Sequence, residues 1–305
     1  MSKKFQIIEV PDDLFSELEP MGTKFKFWYY DETYKYCLFK EGHLNTGEDW
    51  AEKVAAELCE LLEMPHAVYE LAVWSGRRGV ITPNFLVGNE SYSAGNEVLF
   101  RLDANYPKKE KKAKKHSIEY IFNAFESLKI QPPQEAAPPN IRTAKQVFLG
   151  YLMLDVWISN TDRHHENWAS IRRFENGVLI DRLAPTHDHA ASLGCMMLDD
   201  EKREKLITKD KNRTVEAYVQ SAKARSAIYE KEIDSKPLSL INAFRAASLH
   251  NPEASQIWLE KLANVTIEAV KEIFDRIPKE RISETSKEFA IRMLELNRRR
   301  LIELK

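Results

Sequence analysis

The sequence predicts an α+β chain of two unequal lobes: a strand-rich first lobe with one main helix and a larger, mostly helical second lobe. Three observations carry that expectation. Short aromatic runs with partial two-residue alternation crowd residues 1 to about 100. The composition then breaks sharply at residues 108–115, which hold six lysines and one glutamate. Beyond that break, apolar residues recur at helical spacing over long segments. A chain that runs from strands to helices in this way forms segregated layers with a cleft between them. The expected division is residues 1–103 and residues 104–305.

Taken in order, "KFKFWYY" and "KYCLFK" read as strands of a hairpin turned at "DET". "TGEDWAEKVAAELCELLEMP" reads as the main helix of the first lobe. Thr46 is its expected N-cap, acidic residues fill its first turn, and Pro65 follows its end. Val54, Leu58, Leu61 and Leu62 give that helix one apolar face. "HAVYELAVW" and "VITPNFLV" form a second hairpin around "SGRRG", and "GNESYSAGNEVLF" adds a loop and a short strand. The lysine-rich stretch reads as a solvated, mobile connection. Helices follow at "SIEYIFNAFESL", "TAKQVFLGYLMLDVWI" and "TSKEFAIRMLELNRRRLIELK", with "PPQEAAPPN" as a loop. "WASIRRF" and "VLIDRL" pair around "ENG".

Several function classes recede on composition alone. The 305 residues are 43% hydrophobic and 30% charged, with a formal net charge of −2. That balance gives no whole-chain attraction to nucleic acid or to a membrane surface. No apolar run approaches the roughly 18 residues of a membrane span. The N-terminus lacks the apolar core of a signal peptide. Cys37, Cys59 and Cys195 are odd in number and far apart, as expected of reduced thiols in a cytoplasmic protein.

The densest chemistry lies in "SNTDRHHENW", residues 159–168, directly after the apolar helix. Phosphoryl transfer needs a carboxylate to orient the attacking hydroxyl, oxygen ligands for Mg²⁺ from two loops, and a lysine to reach the phosphates. Asp162 and Asn167 have the Asp-x-x-x-x-Asn spacing of a base and a metal ligand on one loop. Asp188 follows 26 residues after Asp162, beyond the hairpin, where a second metal-holding carboxylate belongs. Lys40 ends the strand "YCLFK", and Glu52 lies 12 residues later on the next helix. The order Lys, Glu, Asp, Asn, Asp is that of protein-kinase-like enzymes.

With those residues in place, "NTDRHHENW" followed by "LAPTHDHAASLG" resembles the HipA-like kinases, bacterial serine/threonine kinases of toxin–antitoxin modules. Their fold is related to those of protein kinases and phosphoinositide kinases. "MGTKFKFWY", "LFK", "EMPHAVYEL" and "ANVTIEAVKEIFDRIP" extend the resemblance over most of the chain, which is similar to the short, stand-alone kinase cores. The resemblance implies ATP and Mg²⁺ as cofactors. It makes Asp162 the base, Asn167 and Asp188 the metal ligands, and Lys40 the ATP-binding lysine positioned by Glu52. It also implies a phosphate loop at Gly22, Thr23 and Lys24, with Thr23 as the hydroxyl open to autophosphorylation. Asn160, Arg163 and His164 would brace the catalytic loop, with Arg163 paired to Asp162 or to a neighbouring backbone carbonyl. His187 would pack where the family tends to carry an aromatic residue. A protein substrate and an antitoxin partner belong to the same implication, with no direct nucleic-acid or membrane contact.

Other readings stay open on the residues alone. His164, His165, His187, Asp188 and His189 could ligate a transition metal in a phosphohydrolase, although adjacent histidines in a loop point to different sides. "DRHxxN" also fits a lipid or small-molecule kinase, and a catalytically inactive fold could serve as a binding module.

Overall fold

Alternation builds the first sheet. In the computed structural model, which describes all residues except 1–2, 15–16, 20–23, 111–112, 135–136, 222–225 and 305, the chain opens with β1 (Ile7–Val10) and β2 (Glu17–Leu18). The hairpin β3 (Lys26–Asp31) and β4 (Lys35–Glu41) follows. Its register sets Phe27 opposite Phe39 and Tyr29 opposite Cys37. All four side chains are fully buried on one face, each contributing about 1.5–3 kcal/mol if it is of Leu or Phe size. The period of two then sends Lys40 to the other face, beside Val80. That face is covered by α1 (Glu48–Leu61), whose Ala56 packs with Val80.

The start of α1 differs from the expected Thr46 cap. Gly47 is the N-cap and makes no side-chain cap bond, while Thr46 Oγ1 donates to the His43 carbonyl at 2.7 Å. A Cβ at position 47 would lie 2.0 Å from the Trp50 indole, so the tight packing of Trp50 selects glycine there. Leu61 is exposed, and the buried face of the helix is carried by Trp50, Val54, Leu58 and Leu62 instead.

β5 (Glu70–Trp74) and β6 (Arg77–Pro83) form the second expected hairpin. Its turn is only Ser75 and Gly76, both at positive φ, and Arg77 and Arg78 already belong to the strand. Among the described residues this sheet has six strands in the order β1-β5-β6-β4-β3-β2, with β1 parallel to β5.

Where "GNESYSAGNEVLF" is expected to form a loop and then a short strand, the strand β7 (Ser91–Ala94) comes first and its end is helical, opening α2 (Gly95–Leu102). The helix starts at a glycine because Gly95 is pressed against the next lobe: a Cβ would sit 2.2 Å from the Trp168 ring. Both elements pack on parts of the chain that follow residue 103. Among its described residues the lysine-rich connection is anchored rather than free. Tyr106, Ala113 and His116 are buried, and Lys115 pairs with Asp103 at 3.2 Å.

The second lobe is built around α4 (Ala144–Ile158), packed by α3 (Ile118–Ser127) from before it in the chain. Thr143 and Gln146 form a reciprocal capping box at its start. β8 (Ala169–Glu175) and β9 (Val178–Leu183) turn at Asn176-Gly177, both at positive φ, and β7 adds to their edge. The remaining helices are α5 (Asp199–Ile207), α6 (Val215–Gln220), α7 (Leu240–His250), α8 (Pro252–Asn264), α9 (Ile267–Arg276) and α10 (Glu284–Ile302). α7, α8 and α10 surround α4. The approach of α8 needs Gly150, where a Cβ would meet the Trp258 ring at 2.4 Å. Among the described residues no helix is long and apolar enough to cross a membrane.

Candidate active site

Lys40 is the meeting point of three distant segments. Its ammonium, buried under the sheet, donates to Glu52 Oε1 of α1 at 2.9 Å and to Asp188 Oδ1. Glu52 uses its second oxygen to accept the His189 backbone N–H at 2.7 Å, so α1 is tied to the Asp188 loop twice. Burial works against the charge on Lys40, but Asp188 and Glu52 outweigh it and raise the ammonium well above its ordinary value. Burial also pushes Glu52 up. Lys40 opposes that shift, and the nearby Asp188 charge adds to it. Asp188 is pulled the other way: against the cost of burial, Lys40 holds its carboxyl far below the usual range. Its side chain remains 38% exposed, unlike that of Glu52 at 1%. Asp188 has φ +59 and donates its backbone N–H to the Tyr69 hydroxyl at 3.1 Å.

The loop after α4 is fixed from beneath. α4 ends at Ser159 in the left-handed conformation, which turns the chain sharply into Asn160. Arg163, fully buried, pairs with Asp155 inside α4 through Nε at 2.8 Å and Nη2 at 2.9 Å. It also donates to the Asn167 carbonyl at 2.6 Å and the Thr186 hydroxyl at 3.0 Å. The expected backbone-carbonyl partner is therefore present, but the carboxylate partner is Asp155 and not Asp162. Asn160 donates to the same Asp155 at 2.8 Å and accepts the Asp162 N–H at 3.1 Å. Asp155 is not among the residues that spacing picks out. Its signal was a single carboxylate inside the apolar run "YLMLDVWI", a place where a charge persists only if paired.

This bracing leaves Asp162 presented outward. Its side chain is 54% exposed, with the His164 ring 3.7 Å from Oδ1. The Asn167 amide nitrogen donates to the Asp162 carbonyl at 2.6 Å and to Oδ2 at 3.2 Å. With that nitrogen committed, the amide oxygen is the atom Asn167 can offer a cation. Asn167 and Asp188 thus supply hard oxygen donors from two loops, a set that fits Mg²⁺.

The remaining candidates divide. Lys24 pairs with Glu48 in the first turn of α1 at 2.8 Å. Gly22 and Thr23 lie outside the described residues. His187 packs between Phe85 and Tyr92, at ring distances of 5.8 and 5.9 Å, and its Nε2 meets the Tyr92 hydroxyl at 3.1 Å. Burial lowers its pKa. The histidines do not converge: His165 faces the Tyr106 hydroxyl, and His189 faces Thr186. Among the described residues no three His, Cys, Asp or Glu side chains are grouped to hold a metal ion. All three cysteines are buried and unpaired.

The architecture is the α+β, two-lobed kinase-like fold. Its likeness to a Helicobacter pylori proinflammatory kinase, CtkA, covers 98% of this chain and 100% of that one, with a TM-score of 0.68 and 18% identity. HipA of Shewanella oneidensis MR-1, solved with HipB and operator DNA, is similar over 96% of this chain and 67% of that one, with a TM-score of 0.55 and 12% identity. The fold expected from the resemblance to HipA-like kinases is therefore the fold observed. No protein-family model and no curated protein sequence matches the chain.

Proposed function

We propose that this chain is an ATP- and Mg²⁺-dependent kinase of HipA-like type that passes the γ-phosphoryl group to a serine or threonine of a protein. One observation carries the reading. Lys40, Glu52 and Asp188, which lie 12 and 148 positions from Lys40, meet at one buried ammonium, and a braced loop presents Asp162 and Asn167. In this reading Lys40 neutralises phosphate oxygens, and Glu52 keeps its ammonium in place. Asp162 orients the acceptor hydroxyl and receives its proton, while the oxygens of Asn167 and Asp188 hold the metal. Bound Mg²⁺ would offset charge on the phosphates. The exposed carboxylate of Asp162 suits an acceptor arriving from solvent, and Lys24 and Thr23 belong to the segment that would cover the phosphates.

The likeness to CtkA and HipA supports the kinase reading through the fold. The presence of HipB with HipA supports a search for an antitoxin-like partner, and the reading places the protein in the cytoplasm. Incubation with γ-labelled ATP and Mg²⁺, with and without cell lysate, tests it. Label is expected on the chain itself at Thr23, on a lysate protein, or on both. Absence of labelled protein together with absence of ATP binding would refute the proposal.

A further inference from the structure

The first two turns of α1 carry three buried carboxylates, Glu48, Asp49 and Glu52, and each holds a different part of the molecule. Glu48 holds Lys24 and accepts the His43 backbone N–H at 2.7 Å. Glu52 holds Lys40 and the Asp188 loop. Asp49 faces the helical lobe, where Arg281, from the loop between α9 and α10, donates to Asp49 Oδ2 at 2.9 Å. Both side chains are buried, at 4% and 3% exposure. Arg281 also donates to the Ala72 carbonyl of β5 at 3.0 Å, and Arg78 of β6 joins Asp49 to the Arg281 carbonyl. Along the same helix, Trp50 packs on Phe274 at 6.4 Å, and Glu57 pairs with Arg276 at 3.4 Å.

We infer that Asp49 and Arg281 are positioning residues that clamp α1 to the helical lobe, so that the Lys40–Glu52 pair stands assembled before nucleotide arrives. This rests on the kinase reading above. Glu52 lies three residues beyond Asp49, one helical turn along the same side. A shift of Asp49 therefore moves Glu52, and with it both Lys40 and the His189 backbone. Asp49, Trp50 and Glu57 thus fix α1 to the helical lobe at three points along its length.

The test uses the full chain. Wild type, Arg281→Ala and Arg281→Lys are compared for ATP binding, for kcat and KM toward ATP, and for amide hydrogen exchange along α1. Nucleotide-free wild type is expected to protect α1 in the same slow class as α4, with no change on adding ATP and Mg²⁺. Arg281→Ala is expected to expose α1 to faster exchange and to lower kcat/KM for ATP roughly 10- to 100-fold, the scale of a small misplacement of reacting groups. Arg281→Lys, which keeps the charge on Asp49, should recover most of that loss. Unaltered kcat/KM in folded Arg281→Ala would overturn the inference. So would fast α1 exchange in the wild type that slows only with nucleotide, an outcome readable even if Arg281→Ala does not fold. If the wild type neither binds ATP nor transfers phosphate, the kinase reading itself fails, and this inference fails with it.

Discussion

Removing the carboxylate of Asp155 would leave the Arg163 guanidinium, at 1% exposure, buried without its counter-charge. Asp155→Ala is expected to cost about 3–5 kcal/mol of stability, read as a lowered denaturant midpoint at unchanged m-value. Because Asn160 and Arg163 both lean on Asp155, any folded fraction should also lose a defined loop around Asp162. A second expectation concerns pH. His116 accepts from the Trp168 indole at 3.1 Å, and its other ring nitrogen meets the Ala227 carbonyl at 2.8 Å. Burial, with smaller contributions from neighbouring cationic groups, pushes its pKa from 6.5 to about 3. The unfolded chain binds this proton near pH 6.5 and the folded chain only near 3. Stability from this group is therefore intact above about 6.5 and falls as pH drops toward 3, by up to about 1.4 kcal/mol per unit. Urea unfolding between pH 7 and 5 should show that decline, with the lowered pKa of His165 adding to it; a flat profile would contradict it. Asp162, Asn167, Asp188, Lys40 and Glu52 could all be picked out by type and spacing. Asp155 and Arg281 could not, because a buried counter-charge is defined by what the fold brings to it.

Helix packing makes its own demand at Gly150. On propensity alone, alanine in the middle of α4 would be favoured by about 1 kcal/mol. The Trp258 ring of α8 occupies that space, and its indole N–H donates to the Gln146 carbonyl at 2.8 Å. Gly150→Ala is therefore expected to destabilise by about 1–3 kcal/mol, and a raised melting temperature would refute the packing argument. The periodic elements were the legible ones: α4 and α10 from their apolar spacing, and β3–β4 and β8–β9 from alternation and turn residues. α2 was not, because its eight residues open with Gly-Asn, which reads as loop. Its start is set instead by backbone N–H bonds from Gly95 to Trp168 and from Asn96 to His165. The N-cap of α1 failed for a similar reason: local capping chemistry favoured Thr46, and the contact of Gly47 with Trp50 decided otherwise.

Specific polar contacts join the two lobes beside their shared apolar core. The Ala67 N–H donates to the Thr186 carbonyl at 2.9 Å, the Gly47 N–H donates to Cys195 at 3.0 Å, and the Lys40 and Asp49 clusters cross beside them. None of these pairings has a local sequence signature, since each joins residues more than a hundred positions apart. Their sum places the sheet that carries Lys40 against the loops that carry Asp162 and Asp188. The proposal that this arrangement transfers phosphate is tested most directly by one comparison: γ-phosphate transfer from labelled ATP with Mg²⁺, measured side by side for the wild type and Asp162→Asn. The wild type should transfer label, and Asp162→Asn should fall by roughly 10²–10⁴-fold while still binding ATP. Full transfer by Asp162→Asn would contradict the assignment of this loop as the seat of catalysis.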